Sequence, residues 1–230
     1  MYLGNMDKAM RILISFIFFT SVLFADPVDD LKKSVCDQLP NMYGWCTKEK
    51  AVEFIDLVLA VKPEVCVEIG VFGGKSLFPV ASALKFLNQG IVIGIDPWNI
   101  NEIIPCFDPV KDKAHIEWWS KVNMEQIYYS YLNMLSQYQL KDYVINLRTT
   151  SAVASCAIGT IDILVIDGNY SEAVSTQDVQ LYLPKVRSGG YIWVNDSLWK
   201  DLQSAIGLLF EQCDFVKLIE GGNCILFKKR

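Results

Sequence analysis

The fold of this protein is decided by residues 65–76, whose sequence is VCVEIGVFGGKS. The nearly apolar run Val65–Ile69 is typical of a buried strand in a parallel sheet, and a helical pattern begins near Ser76. Glycines between a strand and a helix let the backbone approach a ligand closely, and the free N–H groups of the helix start add to that site. The stretch therefore predicts a strand–turn–helix unit that holds a nucleotide-like or amino-acid-bearing cofactor.

Spacing excludes two common versions of this turn. A phosphate-binding loop of the form GxxxxGK[ST] needs glycine where the chain has Ile69. A dinucleotide fingerprint of the form GxGxxG needs glycine where the chain has Phe72. The pattern that is present is ExGxxGGxS, running from Glu68 to Ser76.

Apolar, strand-like runs recur on both sides of this turn, and helical patterns separate most of them. Such alternation predicts a doubly wound α/β fold with a Rossmann-like, mostly parallel sheet and right-handed crossovers. The last two runs are joined only by residues 221–223, and so short a link requires an antiparallel hairpin. Together with Val65–Ile69 the predicted sheet has seven strands, the others at residues 91–95, 143–147, 161–166, 191–194, 215–219 and 224–227.

Residues 98–139 are too long for a simple crossover after the second strand. They carry many aromatic side chains at helix-like spacing. We therefore predict a packed helical insertion here. Part of it could also face a substrate, because long excursions at the carboxyl edge of such sheets often shape pockets.

Oxygen-bearing side chains follow three of the predicted strands. Asp96 closes the second strand, where a carboxylate can accept hydrogen bonds from two ribose hydroxyls. Asp167 follows a later strand, and Asn195 and Asp196 follow its predicted neighbour. Because the carboxyl ends of parallel strands meet at the cofactor crevice, the last three side chains could converge on one hard divalent cation. They also have a simpler interpretation, since such residues often end strands and cap helices.

From about residue 44 to the C-terminus, the chain resembles the class I S-adenosylmethionine (SAM)-dependent methyltransferases. Within that class it is similar to a small-molecule O-methyltransferase family that includes macrolide-sugar and catechol enzymes. The resemblance rests on motifs of the types EIGxxxGGS, IDPW, IDG and PGGY. The corresponding stretches here read EIGVFGGKS at residues 68–76, IDPW at 95–98, IDG at 166–168 and SGGY at 188–191.

This resemblance implies that a domain spanning residues 44–230 transfers a methyl group from SAM to a hydroxyl of a small-molecule acceptor, with help from Mg²⁺. The family's metal positions match Asp167, Asn195 and Asp196. Its cofactor positions match the following residues: Glu68, Gly70, Gly73, Gly74, Ser76, Asp96, Ser151 and Asp167.

The chain departs from the family at its proposed base. The usual histidine after the IDG motif is Tyr170 here, and an ordinary tyrosine, with a pKa of about 10, is a weak base at neutral pH. Asp167 and Tyr170 remain the catalytic residues that we predict, because a metal would reduce the need for a strong base. Two alternatives stay open: metal-independent transfer to oxygen or nitrogen, and a degenerate domain that binds SAM without transferring methyl.

Charge and composition limit the partners. The formal net charge is −5 and no basic block occurs, which argues against a nucleic-acid partner. Hydrophobic residues make up 52% of the chain, enough to fill a core. We expect a small-molecule acceptor as partner, and a homodimer stays open.

The N-terminal residues have the pattern of an export segment. Lys8 and Arg11 precede the apolar run Ile12–Phe24, an order typical of a signal peptide. Residues 1–25 are therefore predicted as a signal peptide or a membrane anchor, in which the apolar run would contact the membrane. Residues 26–43 are predicted as a linker with one short helical piece. SAM is a cytosolic metabolite, so a cytoplasmic location is the alternative to export or anchoring.

The seven cysteines suggest two different roles. Cys66 and Cys224 stand in strand-like runs and are expected in the core. Cys36 and Cys46 flank a proline-containing loop and could pair if the protein is exported. No CxxC pair occurs in the sequence, which argues against a zinc site.

Overall fold

A seven-stranded sheet forms the centre of the computed structural model, which describes residues 26–230. The strands are β1 (Val65–Ile69), β2 (Ile91–Ile95), β3 (Val144–Leu147), β4 (Ile161–Ile166), β5 (Val186–Val194), β6 (Cys213–Ile219) and β7 (Cys224–Lys229). Their order is β3-β2-β1-β4-β5-β7-β6. Strands β1 to β5 run parallel, and β7 runs antiparallel to both β5 and β6. The predicted mostly parallel sheet with a C-terminal antiparallel hairpin is confirmed.

Helices connect the strands, as the alternating pattern predicted. They are α1 (Pro27–Gln38), α2 (Lys48–Val61), α3 (Leu77–Leu87), α4 (Ile100–Ile103), α5 (Lys113–Trp119), α6 (Met124–Gln137), α7 (Ser151–Ala154), α8 (Glu172–Tyr182) and α9 (Gln203–Gln212). One apolar cluster packs α2, α3 and α6 onto one face of the sheet, and a second packs α8 and α9 onto the other. Both faces of the sheet are therefore covered, as in a doubly wound fold.

Helix α2 shows how local sequence sets an element that supports the site. Thr47 caps it by accepting a hydrogen bond from the Lys50 N–H over 3.3 Å. Phe54 and Val58 lie one and two turns further on and are buried against the sheet. The helix ends at Lys62, whose φ of 51° is left-handed.

The predicted helical insertion after the second strand is confirmed. It contains α4, α5 and α6, and α6 packs against the sheet. Tyr131 of α6 is fully buried, and its ring lies 5.4 Å from that of Trp98. Its hydroxyl donates to the side chain of Asn146 in the edge strand β3. The insertion is thereby anchored next to the carboxyl end of β2.

Strand β5 is longer than predicted. It begins at Val186, whereas the sequence pattern indicated a turn and a start at Tyr191. The register against β4 shifts between Ile161 and Ile163, so the glycine pair lies within the strand at an irregularity. A Cβ atom at Gly190 would lie 2.7 Å from a methyl carbon of Val186, which explains why glycine is needed inside this strand.

Asp162 joins three segments at the amino ends of β1 and β4. One carboxylate oxygen accepts hydrogen bonds from the N–H groups of Glu64 and Val65, each over 2.9 Å. The other oxygen pairs with Nε of Arg187 over 2.5 Å. Burial raises the pKa of Asp162, but the Val65 N–H, Arg187 and the Glu64 N–H outweigh it, so the pKa lies below its usual value.

Asp162→Ala is expected to lower the free energy of unfolding by about 1–3 kcal/mol at pH 7, because two backbone donors lose their acceptor. Since the folded pKa is depressed, this stability is present above the unfolded pKa of about 4 and is lost as the pH falls below it. Urea unfolding at pH 7 and pH 3 measures both values, with the exposed Asp142→Ala as control. An equal loss at the two pH values would contradict the assignment.

Residues 26–43, expected as a linker with a short helical piece, contain α1 and a 3₁₀ turn over Leu39–Asn41. Val35 and Leu39 are buried in the same apolar cluster as α2, so this part of the segment packs onto the domain. Within residues 26–230 we find no helix that is long and apolar enough to cross a bilayer. The predicted export segment at residues 1–25 lies outside the described residues.

All seven cysteines are free thiols in the structure. Cys66 and Cys224 are fully buried, as expected for core residues. Cys36 and Cys46 are also buried but do not form a disulfide. Their thiols lie near the backbone carbonyls of Lys48 and Thr47 instead.

Candidate active site

Residues 70–74 after β1 form the glycine turn, which packs directly against the end of β4. Gly70 has a φ of 88°, and its N–H donates to the Ile95 carbonyl over 2.9 Å. A Cβ atom on Gly70 would lie 2.1 Å from the carbonyl oxygen of Asp167. The turn is therefore in contact with the residue that follows β4, and only glycine can take this position.

Gly73 and Gly74 are equally crowded, but by other parts of the chain. A Cβ atom on Gly73 would lie 2.4 Å from the carbonyl oxygen of Tyr43. Gly74 has a φ of 78°, and its Cβ would lie 2.5 Å from the ring of Tyr131. The segment before α2 and the insertion thus both lie against the turn.

Glu68 anchors the far end of the turn from within β1. The Ser76 hydroxyl donates to Oε1 of Glu68 over 2.6 Å, and the Glu68 side chain is completely buried. Within residues 26–230 its other oxygen, Oε2, has no hydrogen-bond partner. Burial raises the pKa of this carboxyl well above its usual value. A buried carboxyl oxygen without a partner is an open hydrogen-bonding position for a ligand or a water.

Asp96 connects the glycine turn to the end of β2. Its two carboxylate oxygens accept hydrogen bonds from the N–H groups of Phe72, over 2.9 Å, and Trp98, over 2.7 Å. Each oxygen can accept a second hydrogen bond, so the predicted ribose contact remains a prediction. Burial raises the pKa of Asp96 despite these N–H groups.

Asp96→Ala is expected to weaken SAM binding by about 10- to 150-fold, equivalent to about 1.5–3 kcal/mol, because Phe72 and Trp98 lose their acceptor along with any ribose contact. Calorimetric titration of SAM measures the affinity, and a thermal melt measures the fold. A lower melting temperature with unchanged SAM affinity would show that Asp96 only supports the turn.

Three of the seven non-glycine residues that have a left-handed backbone in the described part of the chain lie at this edge of the sheet. Phe72, Trp98 and Asp196 follow β1, β2 and β5 with φ values of 49°, 42° and 49°. Such conformations cost free energy and persist where the surrounding contacts require them. These three strained residues lie at the carboxyl ends of the strands, next to the candidate site residues.

A cleft of about 600 Å³ opens at Pro97, the residue that follows Asp96. It lies between the loop after β2, the start of α6 and Arg148, which follows β3. Arg148 is exposed, pairs with Glu125 and lies 4.5 Å from the ring centre of Tyr128. Sequence analysis did not identify this cleft, because its walls come from three separate parts of the chain.

Ser151, predicted to lie near the cofactor, is at the start of α7. Its hydroxyl donates to Asp178 of α8 over 2.5 Å, and its carbonyl accepts from the Tyr182 hydroxyl over 2.7 Å. Burial raises the pKa of Asp178 to about 6. The contacts of Ser151 thus tie the loop after β3 to α8.

The structure brings together the polar residues that follow β4 and β5. The Asn195 amide donates to Oδ1 of Asp167 over 2.8 Å. The Tyr170 hydroxyl lies 3.0 Å from the same oxygen and 2.6 Å from Oδ2 of Asp196. We call these four residues the carboxylate cluster.

Two groups of the carboxylate cluster have altered acidity. Burial and then the neighbouring Asp196 charge raise the pKa of Asp167 to about 7, although Tyr170 and Asn195 oppose the shift. Burial, Asp167 and Asp196 raise the pKa of Tyr170. Near neutral pH, Asp167 can therefore both accept and release a proton, whereas the Tyr170 hydroxyl keeps its own.

A second group of polar residues, from α2 and the C-terminal hairpin, contacts the cluster. The sequence analysis did not identify this group. Lys50 of α2 is buried and pairs with Glu220 over 3.1 Å. The Asn223 amide donates to Oδ1 of Asp196 over 3.1 Å, and the Cys224 thiol lies 3.0 Å from Oδ1 of Asn195. A signal for Lys50 was present, since it lies one turn before buried Phe54 on the same helix face.

The carboxylate cluster does not fit the predicted Mg²⁺ ion as it stands. Asn195 directs its amide nitrogen, a donor, at Asp167, while its oxygen faces the Cys224 thiol. The Tyr170 hydroxyl contacts both carboxylates. Among the described residues no group of three or more histidine, cysteine, aspartate or glutamate side chains is arranged to hold a metal.

An aromatic row extends outward from Tyr170. The Trp199 ring lies 5.8 Å from the Tyr170 ring, and the His115 ring of α5 lies 5.2 Å from Trp199. Lys111 pairs with Asp201, which joins the insertion to the loop after β5. His115, the one histidine of the sequence, is thus an exposed packing residue beside the cluster.

Comparison with known proteins identifies the family. A family model described as a methyltransferase domain matches residues 67–197, more than half of the chain. The match runs from β1 to the loop after β5 and includes the glycine turn, Asp96 and the carboxylate cluster. Comparison with curated protein sequences gives no significant match.

Solved structures of methyltransferases share the fold. The SAH-bound methyltransferase PaMTH1 of Podospora anserina is 12% identical, with a TM-score of 0.62, covering 100% of this chain and 98% of its own. The O-methyltransferase NovP is 15% identical, with a TM-score of 0.67, covering 88% and 97%. The O-methyltransferase TomG of Streptomyces achromogenes, solved with SAM, is 12% identical, with a TM-score of 0.58, covering 99% and 100%.

At such low identity these structures establish the likeness of fold alone, whereas the family model establishes membership. The chain therefore belongs to the methyltransferase domain family, and its fold is that of the class I SAM-dependent methyltransferases.

Proposed function

We propose that this protein transfers the methyl group of SAM to a hydroxyl of a small-molecule acceptor. One observation carries the proposal: the glycine turn and the carboxylate cluster are in direct contact, since Gly70 packs on the Asp167 carbonyl. A cofactor held by the turn would thus have its reactive end beside a carboxyl group with a pKa of about 7. This is the arrangement that removal of a hydroxyl proton during methyl transfer needs.

The cofactor side is formed by the glycine turn and the cleft at Pro97. The cleft of about 600 Å³ has room for the adenosine part, with Arg148 at its rim. Among the described residues, the Oε2 atom of buried Glu68 has no hydrogen-bond partner. The ammonium group of the methionine part of SAM would form a hydrogen bond with it, directly or through a water. Both features support SAM as the cofactor.

The acceptor side is formed by the carboxylate cluster and the aromatic row of Trp199 and His115. When bound, SAM would supply an electrophilic methyl group to the acceptor oxygen, and its sulfur would keep the electron pair of the broken bond. Asp167 takes the proton that the acceptor hydroxyl loses. Tyr170 and Asn195 hold Asp167 in place through its Oδ1 atom. Exposed rings beside the cluster favour a small acceptor with an apolar face.

The Mg²⁺ assistance implied by the family resemblance is not part of this mechanism. The oxygen atoms of the cluster that would bind the ion are instead hydrogen-bonded to other members of the cluster. The alternative of a degenerate SAM-binding domain is disfavoured by Asp167, whose raised pKa of about 7 suits proton transfer.

The test is calorimetric titration of the full chain with SAM and SAH, followed by a screen of hydroxylated acceptors with methyl-labelled SAM. We expect binding of both, and label transfer to at least one hydroxyl acceptor. Binding without transfer to any hydroxyl, thiol or amine acceptor would support the degenerate domain. Absence of binding would refute the cofactor assignment.

A further inference from the structure

The strand-end residues that match the family's metal positions make a different set of contacts here. A magnesium ion held by Asp167 and Asp196 would lie about 2.1 Å from an oxygen of each. In the structure the Tyr170 oxygen is the atom that contacts both, at 3.0 Å from Asp167 Oδ1 and 2.6 Å from Asp196 Oδ2. A hydroxyl group therefore connects the two carboxylates where the ion would be.

The remaining ligand atoms are also engaged by donors. Asn195 presents N–H to Asp167, and its oxygen lies 3.0 Å from the Cys224 thiol. The second oxygen of Asp196 accepts from the Asn223 amide over 3.1 Å. Turning Asn195 to ligate a cation would break its contacts with Asp167 and Cys224 together.

Positive charge reaches the cluster from the protein itself. Burial lowers the pKa of Lys50, but Cys224, Glu220 and Asp196 outweigh it, so the pKa is raised and the side chain stays charged. A buried ammonium group thus provides part of the compensation that a divalent cation would give two neighbouring carboxylates.

We propose that Tyr170 replaces a divalent cation in this protein: its hydroxyl ties Asp167 to Asp196 and excludes a metal from between them. The inference rests on the proposed function, because it concerns the acceptor end of the same site. Tyr170 acts here as a positioning residue. It follows that SAM-dependent transfer by this chain is insensitive to chelators.

The test measures Mn²⁺ binding to the full chain by the loss of the free-ion electron paramagnetic resonance signal. We expect no stoichiometric site in the unaltered protein at millimolar Mn²⁺. Tyr170→Ala removes the hydroxyl and the ring and is expected to bind one Mn²⁺ at least tenfold more tightly. Tyr129→Ala, which changes an exposed tyrosine of α6, is the matched control and should not gain a site.

A second variant, Tyr170→Phe, keeps the ring and removes only the hydroxyl that contacts both carboxylates, and it should also gain Mn²⁺ affinity if Tyr170→Ala fails to fold. Two results would overturn the proposal. One is a 1:1 Mn²⁺ site in the unaltered protein that Asp167→Asn abolishes. The other is a folded Tyr170 variant with no gain in Mn²⁺ affinity.

The SAM titration separates this inference from the proposed function. If the chain binds no SAM, the proposed function is refuted, whether or not the chain binds Mn²⁺. If the chain binds SAM and also binds Mn²⁺ through Asp167, the proposed function stands and the proposed role of Tyr170 is refuted.

Discussion

Asp167→Asn is expected to lower methyl transfer by at least about 100-fold, because the variant has no carboxylate to accept the hydroxyl proton. The asparagine oxygen can still accept the hydrogen bonds from Tyr170 and Asn195. SAM affinity and the fold should therefore be retained. The experiment compares the rate of label transfer with the SAM affinity of the same preparation.

The same substitution is expected to stabilise the protein above neutral pH. Asp167 binds its proton more tightly in the folded state, with a pKa of about 7, than in the unfolded chain, where it is about 4. Its ionisation in the fold therefore costs stability progressively between these two values. Because Asp167 is only half-buried, we expect Asp167→Asn to gain about 1–2 kcal/mol at pH 8 and nothing at pH 4.

Thermal melts at pH 4, 6 and 8 measure this gain, with the exposed Asp142→Asn as the control for removing one negative charge. In the unaltered protein the transfer rate should rise with pH through about 7, as Asp167 loses its proton. A variant that transfers methyl at the original rate would show that another group takes the proton.

Gly70→Ala is expected to lower the free energy of unfolding by more than about 3 kcal/mol. The left-handed backbone alone, at φ 88°, costs a residue with a Cβ atom about 1–3 kcal/mol. The new Cβ would also lie 2.1 Å from the Asp167 carbonyl oxygen, so the ends of β1 and β4 would have to separate. SAM binding should be lost with the turn.

Urea unfolding checks the stability, and titration checks the SAM affinity. Gly207→Ala in α9 is the matched control: its Cβ meets no atom within 4 Å, and alanine in a helix is favoured by about 0.5–1 kcal/mol. The two glycine-to-alanine changes should thus have opposite signs. A Gly70→Ala protein with unaltered stability would contradict the packing of the turn.

The sequence alone predicted the alternating α/β order, the terminal hairpin, the insertion and the glycine turn. These features depend on local patterns: apolar runs of strand length, helical periodicity and the glycines that a tight turn requires. It also predicted that Asp167, Asn195 and Asp196 would lie close together, because neighbouring parallel strands end at one edge of a sheet. The roles of these residues did not follow from their positions.

Only the tertiary structure decided what the site residues contact. Asp96 accepts from Phe72, 24 residues away, and the Cys224 thiol reaches Asn195 across 29 residues. The continuation of β5 through its glycine pair depended on the register with β4. Lys50 becomes a partner of Glu220 only when α2 packs against the C-terminal hairpin. Hydrogen-bond direction and burial arise from segments that are distant in sequence, so no local pattern encodes whether Tyr170 faces a metal or takes its place.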